Sequence, residues 1–213
     1  MRLPLNNMTR EKGIIYTARI VSIVFTPFYL PLVGLIALFT LSYMNLLPVG
    51  YRLLVLSLVY FFTILLPTAL IAFYRRHQGW TLIELGQRER RMVPYFISIF
   101  CYFACIWIME HLHIYHFIGS ILIAALLIQM TCVIINVWWK ISTHTAAIGG
   151  VAGALVAFSQ IFNFDPVWWL CLVLVIAGML GSARMILRQH SLPQVVGGFG
   201  VGVFCASLSI LYL

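Results

Sequence analysis

Apolar residues in this chain run in long blocks, with no short-period alternation with polar ones. Seven blocks, approximately 20–44, 53–74, 94–112, 115–139, 145–162, 166–184 and 195–213, approach the length needed to cross a bilayer. A helix crosses the hydrocarbon in about 20 apolar residues. The pattern predicts an all-α, polytopic membrane helical bundle of about seven transmembrane helices, forming one domain over 1–213. Most connections are short, so consecutive spans are expected to pack antiparallel. The exception is the polar stretch from Arg75 to Val93. Pro27, Pro31 and Pro67 fall inside predicted spans, where neighbouring groups must satisfy the carbonyls they free. The first sixteen residues are polar enough for an interface, and the apolar block after them reads as an uncleaved span rather than a signal peptide.

Composition agrees with the block pattern. Hydrophobic residues make up 63% of the 213 and charged residues 8%, whereas an average soluble domain has roughly 25% charged residues. The formal net charge of +8 would point to nucleic acid in a soluble protein. Here lipid headgroups account for it, and no nucleic-acid partner is expected. Seven spans put Arg2, Arg10, Lys12, Arg19, Arg75, Arg76, Arg88, Arg90, Arg91, Lys140, Arg184 and Arg188 on one side, and Arg52 alone on the other. Setting aside those that fall in candidate anion sites leaves six against one. The positive-inside rule then predicts a cytoplasmic N-terminus, with the basic face inside the cell membrane. The five cysteines lie in apolar blocks without CxxC spacing, which suits buried free thiols.

Three polar clusters interrupt the blocks, all on the basic side. Lys140-Ile141-Ser142-Thr143-His144 opens the fifth span. Ser142 or Thr143 can cap that helix, whose N-terminal amides form an anion site. Lys140 adds positive charge, and His144 is a candidate proton donor in the first turn. Arg184 to Gln194 joins the last two spans. Arg184 supplies a planar fork suited to phosphate, and His190 an imidazole that titrates near neutral pH. Arg88-Glu89-Arg90-Arg91, followed by Pro94, is the third. Taken singly, each also suits an ordinary cap or a solvated basic loop.

In this order the three clusters resemble the type 2 phosphatidic acid phosphatase family, which includes membrane lipid phosphatases and soluble haloperoxidases. The family pattern is Lys-x6-Arg-Pro, then Pro-Ser-Gly-His, then Ser-Arg-x5-His-x3-Asp. Ile141-Ser142-Thr143-His144 is similar to the second motif, keeping its Ser and His. Ala183-Arg184-x5-His190-x3-Gln194 is similar to the third, with Gln194 in place of the Asp. The first motif has its counterpart in Arg88 and Arg91, with Glu84 where the Lys would stand. The resemblance covers about 85–205. It implies a phosphoric monoester hydrolase acting on a phosphatidic acid-like or prenyl phosphate-like lipid without metal or cofactor. In that scheme His190 is the nucleophile and His144 the acid. Arg184, Ser142, Arg88, Arg91 and Lys140 hold phosphate, and Gln194 orients His190.

Two other readings accompany it. Gln194 cannot supply the negative charge of an Asp, which fits a member of the same fold that only binds a lipid headgroup. A small transporter would instead need polar residues along a path across the bilayer. Glu110, His111, His113 and His116, with Asp165, sit on the opposite side and read as interfacial anchors rather than a metal site. Gly149/Gly153 and Gly198/Gly202 are small-xxx-small pairs that imply close helix packing. Association between copies of the chain stays open.

Overall fold

The computed structural model describes residues 5–79 and 92–212. The described residues are helical, in the order α1 (Leu5–Val24), α2 (Leu30–Leu41), a 3-10 turn (Tyr43–Leu46), α3 (Val49–Tyr60), a π-helical turn (Phe61–Leu65) and α4 (Leu66–Gln78). After the undescribed stretch come α5 (Met92–His111), α6 (His116–Trp138), α7 (Thr143–Phe162), α8 (Val167–Ile186) and α9 (Leu192–Tyr212). Six helical stretches are long and apolar enough to cross a membrane: Val49–Gln78, Val93–His111, Phe117–Trp138, Thr143–Phe162, Val167–Ile186 and Leu192–Tyr212. The chain is a membrane protein with a polytopic helical bundle.

The expected first span, 20–44, is not one helix. The last bond of α1 runs from Phe25 N–H to the Val21 carbonyl at 3.0 Å, and the chain then turns at Thr26–Tyr29. Pro27 is the cause. It has no N–H to donate, and it drives Thr26 out of the helical region. Pro31 then sits in the first turn of α2, where a missing N–H costs nothing. What remains of the block is the shorter apolar helix Leu30–Thr40. Hydropathy alone sees a continuous block because proline hardly changes it.

Pro67 has a milder effect. Its ring crowds the carbonyl of Thr63, four residues earlier. The π-helical turn at Phe61–Leu65 gives that carbonyl more room, so α3 and α4 continue as one span. The α4 end is stopped by Gly79, whose left-handed backbone (φ +67°) lets its N–H reach the Arg75 and Arg76 carbonyls.

The closest helix pair is α7 with α9. Small residues make this possible: the α-carbon of Gly202 faces the Ala146 carbonyl so closely that no side-chain carbon fits between. At the N-terminal end of the pair, a Cβ on Gly198 would lie 2.5 Å from the Ser142 carbonyl oxygen and 2.6 Å from Thr145 Oγ1. Further apolar packing forms around Leu35, Val55, Tyr102, Ile118 and Phe158, uniting α2, α3, α5, α6 and α7. Leu30, Ile148, Ala152 and Leu180 tie α2 and α7 to α8. Trp138 and Trp168 are 79% and 85% exposed, as expected for aromatic anchors at helix ends.

Candidate active site

α6, α7, α8 and α9 follow one another antiparallel, so the α6–α7 and α8–α9 junctions meet at one end of the bundle. The first junction is built by capping. Trp139 and Lys140 leave the helix, and Asn136 Oδ1 accepts the Ile141 N–H at 3.2 Å. Ser142 is the N-cap of α7: its Oγ accepts the Thr145 N–H at 3.4 Å, and Thr145 Oγ1 donates to the Ser142 carbonyl at 3.1 Å. Ser142 is fully buried. A capping oxygen satisfies an otherwise orphaned helix amide, which is why a Ser at the edge of an apolar block starts the helix here.

The second junction is a tight reversal. At the end of α8 the Leu187 N–H reaches the Ala183 carbonyl at 3.0 Å, and the Gln189 N–H the Arg184 carbonyl at 3.1 Å. Arg188 between them is left-handed (φ +52°), as such a helix stop requires. A non-glycine residue tolerates that conformation at about 1–2 kcal/mol. The reversal folds His190 back under the bundle, where it is only 9% exposed. The two junctions are then pinned together: the Ser142 N–H donates to the Gln194 carbonyl at 3.3 Å.

Gln194 also acts through its side chain. Its Oε1 accepts the Ser191 N–H at 3.1 Å and lies 3.3 Å from His190 Nδ1. A backbone N–H can only donate, so the amide must present oxygen here. His190 Nδ1 therefore carries the proton, and Nε2 is the basic nitrogen of the ring.

Thr143, His144, Arg184 and His190 line the mouth of one cavity of about 400 Å³. His144 and Arg184 are half-buried, and the Arg184 Nε is fully enclosed. Three of the sequence-selected residues thus line one cavity. Ser142 and Gln194 stand behind it as cap and support, and Lys140 is exposed on the adjoining surface. Arg88 and Arg91 lie outside the described residues. Arrangement alone supplies what an anion-binding centre needs: a guanidinium fork, the positive end of α7, and two imidazoles.

Residues 138–213 match the model of the PAP2 superfamily. The matched stretch is about a third of the chain. It holds His144, Arg184, His190 and Gln194, and begins where the site begins. No curated protein and no solved structure matches the chain significantly. The matched stretch leaves out α1 to α5 and all of α6 but Trp138, although the turn before α2 contributes Pro27, α2 Pro31, and α5 Pro94 and Ser98 to the same cavity. Sequence reasoning passed over these wall residues, because an apolar or hydroxyl side chain facing a cavity has the same composition as one facing lipid.

Two of the acidic and histidine residues of the opposite side, His111 and Asp165, have local partners. His111 Nδ1 lies 3.2 Å from the Trp107 carbonyl, with the two rings 4.2 Å apart. Asp165 Oδ1 accepts the N–H of Val167, the first residue of α8, at 2.9 Å. Among the described residues no three of His, Cys, Asp or Glu come together as metal ligands would.

Proposed function

We propose that this chain is a membrane phosphatase that removes the phosphate from a phosphorylated lipid through a phosphohistidine on His190. One observation carries the reading: His144, Arg184 and His190 share a cavity mouth, and Gln194 holds Nδ1 of His190 so that Nε2 is the basic nitrogen. His190 Nε2 attacks phosphorus, and the bond from phosphorus to the lipid oxygen breaks. His144 gives a proton to that leaving oxygen. Water then attacks the phosphohistidine with His144 as base, releasing phosphate and restoring His190. Arg184 and the positive end of α7 hold the equatorial oxygens, where charge stabilisation does most of the catalytic work. Arg88, Arg91 and Lys140 complete the phosphate shell. The lipid alcohol leaves into the bilayer and the phosphate into water. Arg75 and Arg76, in the last turn of α4, lie toward the same end of the bundle, and by the positive-inside bias that water is the cytoplasm.

Gln194 favours a second reading. A neutral amide fixes the tautomer but does not compensate the charge on His190 as it becomes positive, so a member that binds a headgroup without turnover fits the same geometry. Phosphate release from short-chain phosphatidic acid and a prenyl phosphate, by detergent-purified wild type, His190→Ala and His144→Ala, separates the two. Hydrolysis predicts an acid-labile, alkali-stable phosphoenzyme that His190→Ala abolishes. His144→Ala should slow lipid substrates far more than aryl phosphates, whose leaving groups need little protonation. Equal release by wild type and His190→Ala refutes the nucleophile assignment. No release by any form on a wide substrate panel selects the binding reading.

A further inference from the structure

The cavity does not end at the phosphate site. The same space that begins at His144, Arg184 and His190 runs down α7 past Gly150, Ala154 and Phe158 to Phe162. Phe162 follows His144 by eighteen residues, a descent of about 27 Å at 1.5 Å per residue, close to the full hydrocarbon thickness. Gly34, Ala37 and Leu38 of α2 and Ala124, Ala125 and Ile128 of α6 make much of the wall. Phe158 and Phe162, which pack with Phe117 at centroid distances of 5.2 and 5.0 Å, line the far end.

A volume of about 400 Å³ falls within the range of about 300–1,000 Å³ typical of ligand pockets. Its polarity is distributed as in an amphiphile: cationic and imidazole groups at one end, methyl and aromatic groups along the rest. One polar level interrupts the apolar part. Tyr102, fully buried on α5, and its neighbour Gln129 on α6 both line the cavity. Tyr102 Oη and Gln129 Oε1 make no hydrogen bond with other described residues. Tyr102 follows Pro94 at the mouth by eight residues, so this level lies about 12 Å down.

We infer that the hydrocarbon chain of the ligand is drawn inside the bundle, along this cavity between α2, α5, α6 and α7, rather than left in the surrounding bilayer. The inference rests on the phosphate-site reading for the position of the headgroup. Transfer from lipid to an apolar cavity changes the hydrophobic free energy little, because lipid tails are as apolar as leucine. The cavity therefore positions the phosphate and sets a limit on chain length. An extended chain advances about 1.3 Å per bond, as the three bonds between successive Cα atoms in about 3.8 Å illustrate. A ten-carbon chain reaches the Tyr102 level and a twenty-carbon chain reaches Phe162.

The test uses ten- and twenty-carbon alkyl phosphonates with a terminal diazirine, photolysed on the purified full-length chain and mapped by mass spectrometry. Labels should be competed by excess unlabelled phosphonate. The short probe is expected on Tyr102 and Gln129, the long one on Phe158 and Phe162. Ala154→Phe, about 15 Å down α7 at 1.5 Å per residue, should cut the deep label at least tenfold and leave the short probe within twofold. The retained short-probe label shows that the variant is folded. Labels on Phe100, Phe103 and Trp107, which are 71%, 61% and 53% exposed on the outer face of α5, overturn the inference, as does labelling that competitor does not reduce. Phosphate release from the matching alkyl phosphates is measured in parallel. Inside labels without release leave the chain site standing and refute hydrolysis. Release with outside labels does the reverse.

Discussion

A methyl group on Gly198 probes the packing that pins the two junctions of the site together. The added carbon would sit 2.5 Å from the Ser142 carbonyl oxygen and 2.6 Å from Thr145 Oγ1. Neither neighbour can swing away: one is backbone, and the other is the hydroxyl held in the first turn of α7. Forcing a methyl into a packed site costs about 1–3 kcal/mol. Replacing a helical glycine by alanine returns about 0.8–1.0 kcal/mol of helix propensity. Gly200, two residues on, is the natural control, because a Cβ there meets nothing within 4 Å. Gly200→Ala should collect the propensity gain alone. The two variants should therefore differ by the overpacking cost itself, about 1–3 kcal/mol, or roughly 2–12 °C in midpoint for a chain of this size. A thiol-reactive dye reports the transition, since Cys101, Cys105, Cys132 and Cys205 are buried and become reactive only on unfolding. Cys171, which is exposed, is first changed to serine. A Gly198→Ala protein that melts at or above Gly200→Ala would refute the α7–α9 register on which the site depends.

Four further outcomes follow from the same geometry. Ser142→Ala should lower stability by about 0.5–2 kcal/mol through loss of the cap, read in the same thermal assay. Gln194→Leu removes the acceptor of both the Ser191 N–H and His190 Nδ1 and should lower turnover by up to about 10⁴, the loss seen when a catalytic histidine is held in the wrong tautomer. Gln194→Asp, which restores negative charge beside that nitrogen, should raise turnover if the wild type is limited by an uncompensated imidazolium. An unchanged rate in Gln194→Leu would show that the amide does not orient the nucleophile. Ser191→Cys, in a Cys171→Ser background, should resist membrane-impermeant maleimide on intact cells and react after permeabilisation. Labelling of intact cells would place the site outside.

Fold class and the outline of the spans were legible in the sequence because both depend on local quantities. Bilayer thickness sets the length of each apolar block, so the helices from His116 to Trp138 and from Val167 to Ile186 fall within two residues of expectation. The cap at Ser142 was legible as well, since a hydroxyl residue next to an apolar block has one nearby helix to serve. That the α6–α7 and α8–α9 junctions fall at one end of the bundle followed from the parity of the last four spans. Other features were not legible. The break at Pro27 turned a predicted span into a turn and a short helix, because the backbone bond that proline removes carries no hydropathy. Motif spacing singled out Gln194, but its second bond, to the Ser191 N–H, and the pinning of its carbonyl to the Ser142 N–H come only with the fold. Gly198 reads as a helix-packing residue, but its partner, the cap of another helix, appears only when α9 lies against α7. The cavity depends most on tertiary structure. Tyr102, Gln129, Ala154 and Gly34 come from four separate helices, and no local property of any of them distinguishes a wall facing a ligand from a face turned to lipid.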